Sequence, residues 1–259
     1  MATPGALRVL EHNIISYKRV WKGTVFSSFV NPVLFLAAMG LGLGTLVDAG
    51  ARAGTLGTTS YLAFLAPGLM VATAMQMAAF ESAFPVMAGM KWRKTYHAAL
   101  STPLRSADLV AGHLVFVAFR LVMMAVVFAV VITAFGAVEL NRALLATLPA
   151  LLTGLAFAAP ITAFAGRLES DYGLSSMFRF VIVPMFLFSG TFFPIDQIPD
   201  WLQPLVYVVP LWHGVELTRG VALGMGTTLN PFVHIGVLVA VIVVGFVAAV
   251  RAFEARLIK

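Results

Sequence analysis

The 259-residue chain contains no cysteine, which excludes disulfides, thiolate metal sites and a cysteine nucleophile. Charge is nearly as scarce. Only 11% of residues are Asp, Glu, Lys or Arg, against 60% hydrophobic, whereas a water-soluble domain carries about a quarter charged and half apolar residues. No lysine follows a glycine, so the G-x-x-x-x-G-K-[ST] loop that cradles nucleotide phosphates is missing and ATP is not bound in that familiar way. H-E-x-x-H and G-x-S-x-G are absent too, since Gly173-Leu174-Ser175-Ser176 has no closing glycine. His12, His97, His113, His213 and His234 are scattered, and none makes a ligand pair at helical spacing with another His or a carboxylate on the same apolar segment. Neither a catalytic residue, a metal site nor a bound cofactor is expected.

What is present is apolar sequence in membrane-length runs. A bilayer core needs about 20 residues per helix, and six segments qualify, at about 24–46, 61–85, 109–135, 143–165, 173–191 and 231–250. The first begins near Thr24, late for a signal peptide and too long for its apolar region, so it reads as a retained span. The fold class is therefore all-α, a single six-span membrane domain over residues 1–259. With an internal amino terminus, Arg8, Lys18, Arg19, Lys22, Lys91, Arg93, Lys94, Arg105, Arg167, Arg251, Arg256 and Lys259 are cytosolic, while only Arg52, Arg142 and Arg219 are outside. Lys and Arg in short flanking loops set topology, so both termini are placed in the cytosol. The net charge of +6 follows from these flanking bases, and nucleic acid is not an expected partner. No internal repeat of the kind common in secondary transporters is visible.

Residues 4–22 have a different pattern. Leu7, Leu10, Ile14, Tyr17 and Trp21 recur at offsets of three and four, with Arg8, Glu11, Lys18, Arg19 and Lys22 on another face. Such an amphipathic basic helix lies in the membrane interface, either as a plain anchor or as a brace for a partner. Between the second and third spans, residues 86–108 carry Met90-Lys91-Trp92-Arg93-Lys94-Thr95-Tyr96-His97, closed by Pro103. A short basic, aromatic cytosolic helix and a solvated loop both fit this composition.

Residues 192–222 are cut by Pro194, Pro199, Pro204 and Pro210 but remain apolar and aromatic, through Trp201, Leu202, Tyr207, Leu211 and Trp212. Prolines forbid one continuous helix. Backbone that dips into a bilayer without crossing it survives only where protein or a wet path satisfies its polar groups. Two short helices forming an extracellular re-entrant hairpin are expected, the first capped by Asp200 and begun at Trp201, the second begun at Pro210, with Glu216 and Arg219 facing water. A surface hairpin acting as an aromatic belt is the other reading.

Two charges enter the spans, Glu81 and Arg120, each toward the cytosolic end of its helix. Intramembrane ions cost about 2.5 to 3.5 kcal/mol on insertion scales unless paired or hydrated. They form either a pair that locks a cytosolic gate or two residues that snorkel independently. Arg179 has Glu169 and Asp171 near in sequence as possible partners, and Gly40, Gly42 and Gly44 suit close helix packing.

The run Thr95-Tyr96-His97-Ala98-Ala99-Leu100-Ser101-Thr102-Pro103-Leu104-Arg105, with Asp108-Leu109-Val110 and Gly112, resembles the cytosolic loop of ABC type-two exporter permeases. Pro184 to Pro194 and Val209-Pro210-Leu211-Trp212-His213 are similar to that family's fifth span and re-entrant hairpin. The nodulation-type lipo-oligosaccharide branch is nearest, with the daunorubicin-resistance branch next, and the likeness covers the chain in order and topology.

This resemblance implies a permease subunit in the inner membrane of a bacterium. It implies pairing with a second copy or a paralogue, with membrane lipid around them, and a separately encoded nucleotide-binding ATPase that holds ATP and magnesium. Trp92, Tyr96, His97 and Leu100 would form the coupling contact with that ATPase, and Trp201, Leu202, Tyr207, Leu211 and Trp212 would cover the exit. Its cargo would be a glycolipid, lipo-oligosaccharide, polysaccharide or drug, with no fused ATPase or sugar-binding domain expected. An ion-coupled carrier or channel needs midplane ion sites, of which the sequence offers few, and an intramembrane enzyme needs a convergent polar cluster that the sequence does not supply.

Overall fold

Residues 4–19, 21–44 and 60–257 are described in the computed structural model, and they are helical throughout, with turns and no strand. The last residues of the first expected span, the outer loop carrying Arg52, and Lys259 lie outside the described residues.

Helix α1 (Gly5–Tyr17) is amphipathic, as its spacing predicts, but it ends at Tyr17 rather than at residue 22, and Trp21 opens helix α2 (Trp21–Leu36). A π-helical turn, Ala37–Leu43, continues α2. Helix α3 (Tyr61–Met87) starts with Ser60 accepting from the backbone N–H of Ala63, and a π turn carries it on to Trp92. It therefore projects seven residues beyond the expected span end at 85, into the segment read as a cytosolic loop.

Beyond a sharp turn, α4 (Thr95–Leu100) leads to α5 (Ser106–Ala134), which opens with a reciprocal cap between Arg105 and Asp108. Helices α6 (Leu140–Leu145) and α7 (Thr147–Arg167) are nearly continuous. Next come α8 (Tyr172–Met177), a π turn over Phe178–Ile182 and α9 (Val183–Phe188). Then α10 (Gln203–Val208) and α11 (Pro210–Leu223) precede α12 (Pro231–Leu257).

Among the described residues, four runs are long and apolar enough to cross a membrane: Tyr61–Trp92, Ser106–Ala134, Leu140–Arg167 and Pro231–Leu257. The run Tyr172–Phe188 is shorter. Helix α3 is the central post, with 78% of its most apolar window buried, whereas α12 is peripheral with 22%. Met70, Met75, Leu121, Phe128, Ala158 and Phe253 belong to one continuous core. Helices α3 and α7 contain Pro67 and Pro85, and Pro160, respectively, as membrane helices tolerate. At the crossing of α7 and α12, Gly245 faces the ring of Pro160, and a Cβ there would lie 2.6 Å from the proline nitrogen. In the first helical run, a Cβ at Gly40 would run into Leu62, so that glycine serves close packing, as expected.

Candidate functional site

Three clusters align with the expected transport machinery. The first is the charge pair. Arg120 Nη1 stands 3.0 Å from Glu81 Oε1, with the two side chains 8% and 21% exposed. The guanidinium also lies 4.6 Å from the ring centre of Tyr17, which seats the end of α1 on α5 through Phe116 and Phe119. Paired in this way, the two charges do not snorkel independently. The sequence signal was the rarity of charge in the spans, and Tyr17 carried no signal beyond its place on the apolar face of α1. Arg179 by contrast is exposed and pairs with neither Glu169 nor Asp171 among the described residues.

The second cluster is the short helix α4. Lys94, its first flanking residue, has φ of 50°, the left-handed region, which breaks the direction of α3 at a cost of about 1 kcal/mol for a non-glycine residue. Lys91 Nζ donates to Glu169 O at 2.8 Å and ties the end of α3 to the segment after α7. The four residues expected to form one docking face divide into two groups. Trp92 is 58% exposed and His97 is exposed, whereas Tyr96 and Leu100, one turn apart, pack on the core. Tyr96 makes an edge contact with Phe253 at 5.1 Å and occupies room left by Gly89, where a Cβ would stand 2.5 Å from its ring. Burial pushes the Tyr96 phenol up from its ordinary range. A six-residue helix has too few turns for a sequence pattern to fix which face is inward.

The third cluster is the hairpin. Helix α11 begins at Pro210 as expected, but α10 begins at Gln203 and not at Trp201. The Gln203 amide bridges Ile198 O at 3.0 Å and Asp200 Oδ1 at 3.2 Å, which occupies Asp200 as a loop brace. Leu211 and Trp212 are fully buried, Leu202 is half-buried, and Trp201 and Tyr207 are exposed. The expectation that Arg219 faces water is overturned. Its guanidinium is buried, donating to Phe64 O at 3.1 Å, Gly190 O at 2.8 Å and Thr191 O at 3.1 Å, and stacked 3.6 Å from the Phe64 ring centre. The chain reverses after α9 and leaves carbonyls there without helical partners, and a planar cation with five N–H groups can serve several at once.

Glu216, partly exposed, accepts from Thr228 N at 2.9 Å and Thr228 Oγ1 at 2.7 Å. His213 and His234, unremarkable in sequence, face each other with Nδ1 atoms 2.8 Å apart beside Trp212. No signal short of the fold could have joined residues on two different helices. A cavity of about 370 Å³ opens beside the hairpin, lined by Tyr207, Trp212, Glu216, Arg219 and Asp196 among others. Among the described residues no group of three or more His, Asp or Glu could hold a metal ion.

The profile of the ABC-2 type transporter family matches residues 7–223, from α1 through α11. The chain belongs to the ABC-2 type transporter family. It is 33% identical over 257 residues to nodulation protein J of Rhizobium leguminosarum bv. viciae, covering 98% of this chain and 95% of that protein. Nodulation protein J of R. leguminosarum bv. trifolii is 31% identical, covering 100% and 97%. That of Bradyrhizobium diazoefficiens is 31% identical, covering 97% and 93%. As an ABC-2 permease the chain is a membrane-embedded transport subunit. The family match covers Glu81, Arg120, α4 and the hairpin helices, whereas Thr228, His234 and Phe253 lie beyond its end at residue 223.

Proposed function

We propose that this permease carries an amphipathic or lipid-linked molecule outward across the inner membrane of a bacterium, driven by a separate ATPase subunit. Two permease chains, identical or paralogous, and two ATPase copies make the working unit. The runs Trp21–Leu43 and Tyr172–Phe188 complete six spans with the four long helices, and both termini lie in the cytosol. The observation that carries the reading is likeness along nearly the whole chain to three proteins named nodulation protein J, which favours a lipo-oligosaccharide as cargo over a drug.

In this scheme α4 is the contact through which ATPase closure reaches the spans. Trp92 and His97 offer the outward face, while Tyr96 and Leu100 transmit through Phe253 and the core. Closure moves packed helices as bodies. The Glu81 and Arg120 pair then holds the cytosolic half of α3 against α5, and the hairpin covers the outer opening.

Reconstitution tests the reading. The permease with its partner ATPase, in sealed vesicles, should hydrolyse ATP and move a lipo-oligosaccharide from the ATPase side, and the permease alone should do neither. ATP turnover by the permease alone, or lack of any stable complex with that ATPase, would end it.

A further inference from the structure

Beneath α1 lies a cavity of about 440 Å³, closed on its other sides by α3, α4 and α5. It is separate from the cavity beside the hairpin, and Trp92 and His97 take no part in its wall. Three basic side chains stand at its wall, Arg8 and His12 from α1 and Arg93 from the turn before α4. All three are exposed, and none makes an ion pair among the described residues. Deeper in the wall is His113, 4% exposed, whose Nε2 has no hydrogen-bond partner among the described residues. A buried polar atom left unpaired is costly, so an acceptor arriving there is favoured.

Glu81, the one carboxylate in the wall, is engaged by Arg120 at 3.0 Å, which offsets its charge. Asn13 and Ser16 add hydrogen-bonding groups on α1, while Val9, Pro85, Leu109 and Phe116 make the rest apolar. Tight packing fixes the shape. A Cβ on Gly112 would stand 2.5 Å from Val9, so α1 sits at that depth only because position 112 has no side chain.

An opening with a cationic rim, an unpaired buried ring nitrogen and an apolar wall, lying under an interfacial helix, matches a phosphate that carries a hydrophobic tail. We infer that this cavity binds the phosphate headgroup of an anionic phospholipid of the adjoining leaflet. Arg8 and Arg93 hold the phosphate, and His113 Nε2 donates to the headgroup from below. Anionic lipids attract interfacial Lys and Arg generally; what distinguishes this site is the cavity and the histidine within it. It is independent of the cargo and of the ATPase proposed above.

Native mass spectrometry of the full-length permease, titrated with phosphatidylglycerol, tests the inference. Wild type should retain the lipid about tenfold more tightly than R8Q/R93Q, and K18Q/R19Q, which removes equal charge from basic residues outside the cavity wall, should match wild type. His113→Leu should weaken retention and His113→Gln, which keeps a donor, should restore most of it. The rim residues are exposed, so R8Q/R93Q decides the matter even if H113L fails to fold. Equal retention by R8Q/R93Q and wild type, or an equal loss in K18Q/R19Q, would overturn the site. Displacement by inorganic phosphate, or equal binding of phosphatidylcholine, would overturn the anionic-lipid assignment.

Discussion

Each end of the helix bundle contains one buried arginine, and the two are satisfied in different ways. At the α1 end Arg120 meets a carboxylate, Glu81, supplied by one neighbouring helix. At the hairpin end Arg219 meets three main-chain carbonyls and an aromatic face, with no carboxylate in direct contact among the described residues. An ion pair is a bond between two side chains, and it can open when its helices separate. A cation held by carbonyls from α3 and from the turn after α9 is bound to the backbone itself, and it moves only if the chain path moves. The Arg120 contact is thus of a kind that can open, and the Arg219 contact of a kind that holds the hairpin in place.

The largest effect should come from breaking the outer clamp. Arg219→Met leaves the Gly190 and Thr191 carbonyls buried without their donor, and losing one side of a buried charged contact costs about 3 to 5 kcal/mol. Little monodisperse protein should be recovered in size-exclusion chromatography. Arg219→Lys should be intermediate, because an ammonium group cannot reproduce the planar fork. An R219M protein that melts within a degree or two of wild type would remove the distinction between the two ends.

At the α1 end the expected effect is smaller, since Glu81 retains some exposure. Glu81→Ala and Arg120→Met should each cost about 2 kcal/mol, and the double variant clearly less than their sum, because neither then strands a partner. Thermal melts of the four proteins close the cycle. Strict additivity would mean that the pair contributes no coupling and the reading of a contact that can open fails.

The smallest stability effects are expected on α4, where the comparison sharpens within one helix. Trp92→Ala and His97→Ala should shift stability by no more than about 0.5 kcal/mol, as for exposed sites, yet weaken co-purification of the ATPase. Tyr96→Ala should cost about 2 kcal/mol by opening space beside Phe253 and Gly89. If Trp92 and His97 variants retain the ATPase fully, the outward face of α4 is not its seat.

The contrast between the two ends also explains what the sequence could show. Four long helices were legible because their apolar length admits little else, and Glu81 and Arg120 because a charge inside such a run needs a reason. Arg219 was misread because it follows Glu216 by three residues in a stretch that also holds Gly214, Thr218 and Gly220, a pattern that suits a wet surface. Its true partners are carbonyl groups, which every residue possesses and no sequence marks. The contact between His213 and His234 was hidden for a related reason: it joins separate helices at a spacing with no periodic meaning. Helix α3 was cut short because Lys91 and Arg93 resemble a loop, although its last turn is held by the bond from Lys91 to Glu169 O.

The Arg219 clamp also has a bearing on biogenesis. Its donor lies 155 residues after Phe64 and 28 after Thr191. A chain made from its amino end presents those acceptors well before the guanidinium emerges, so the Gly190 and Thr191 carbonyls in the turn after α9 lack this donor until Arg219 is made, and Arg219 closes the contact last.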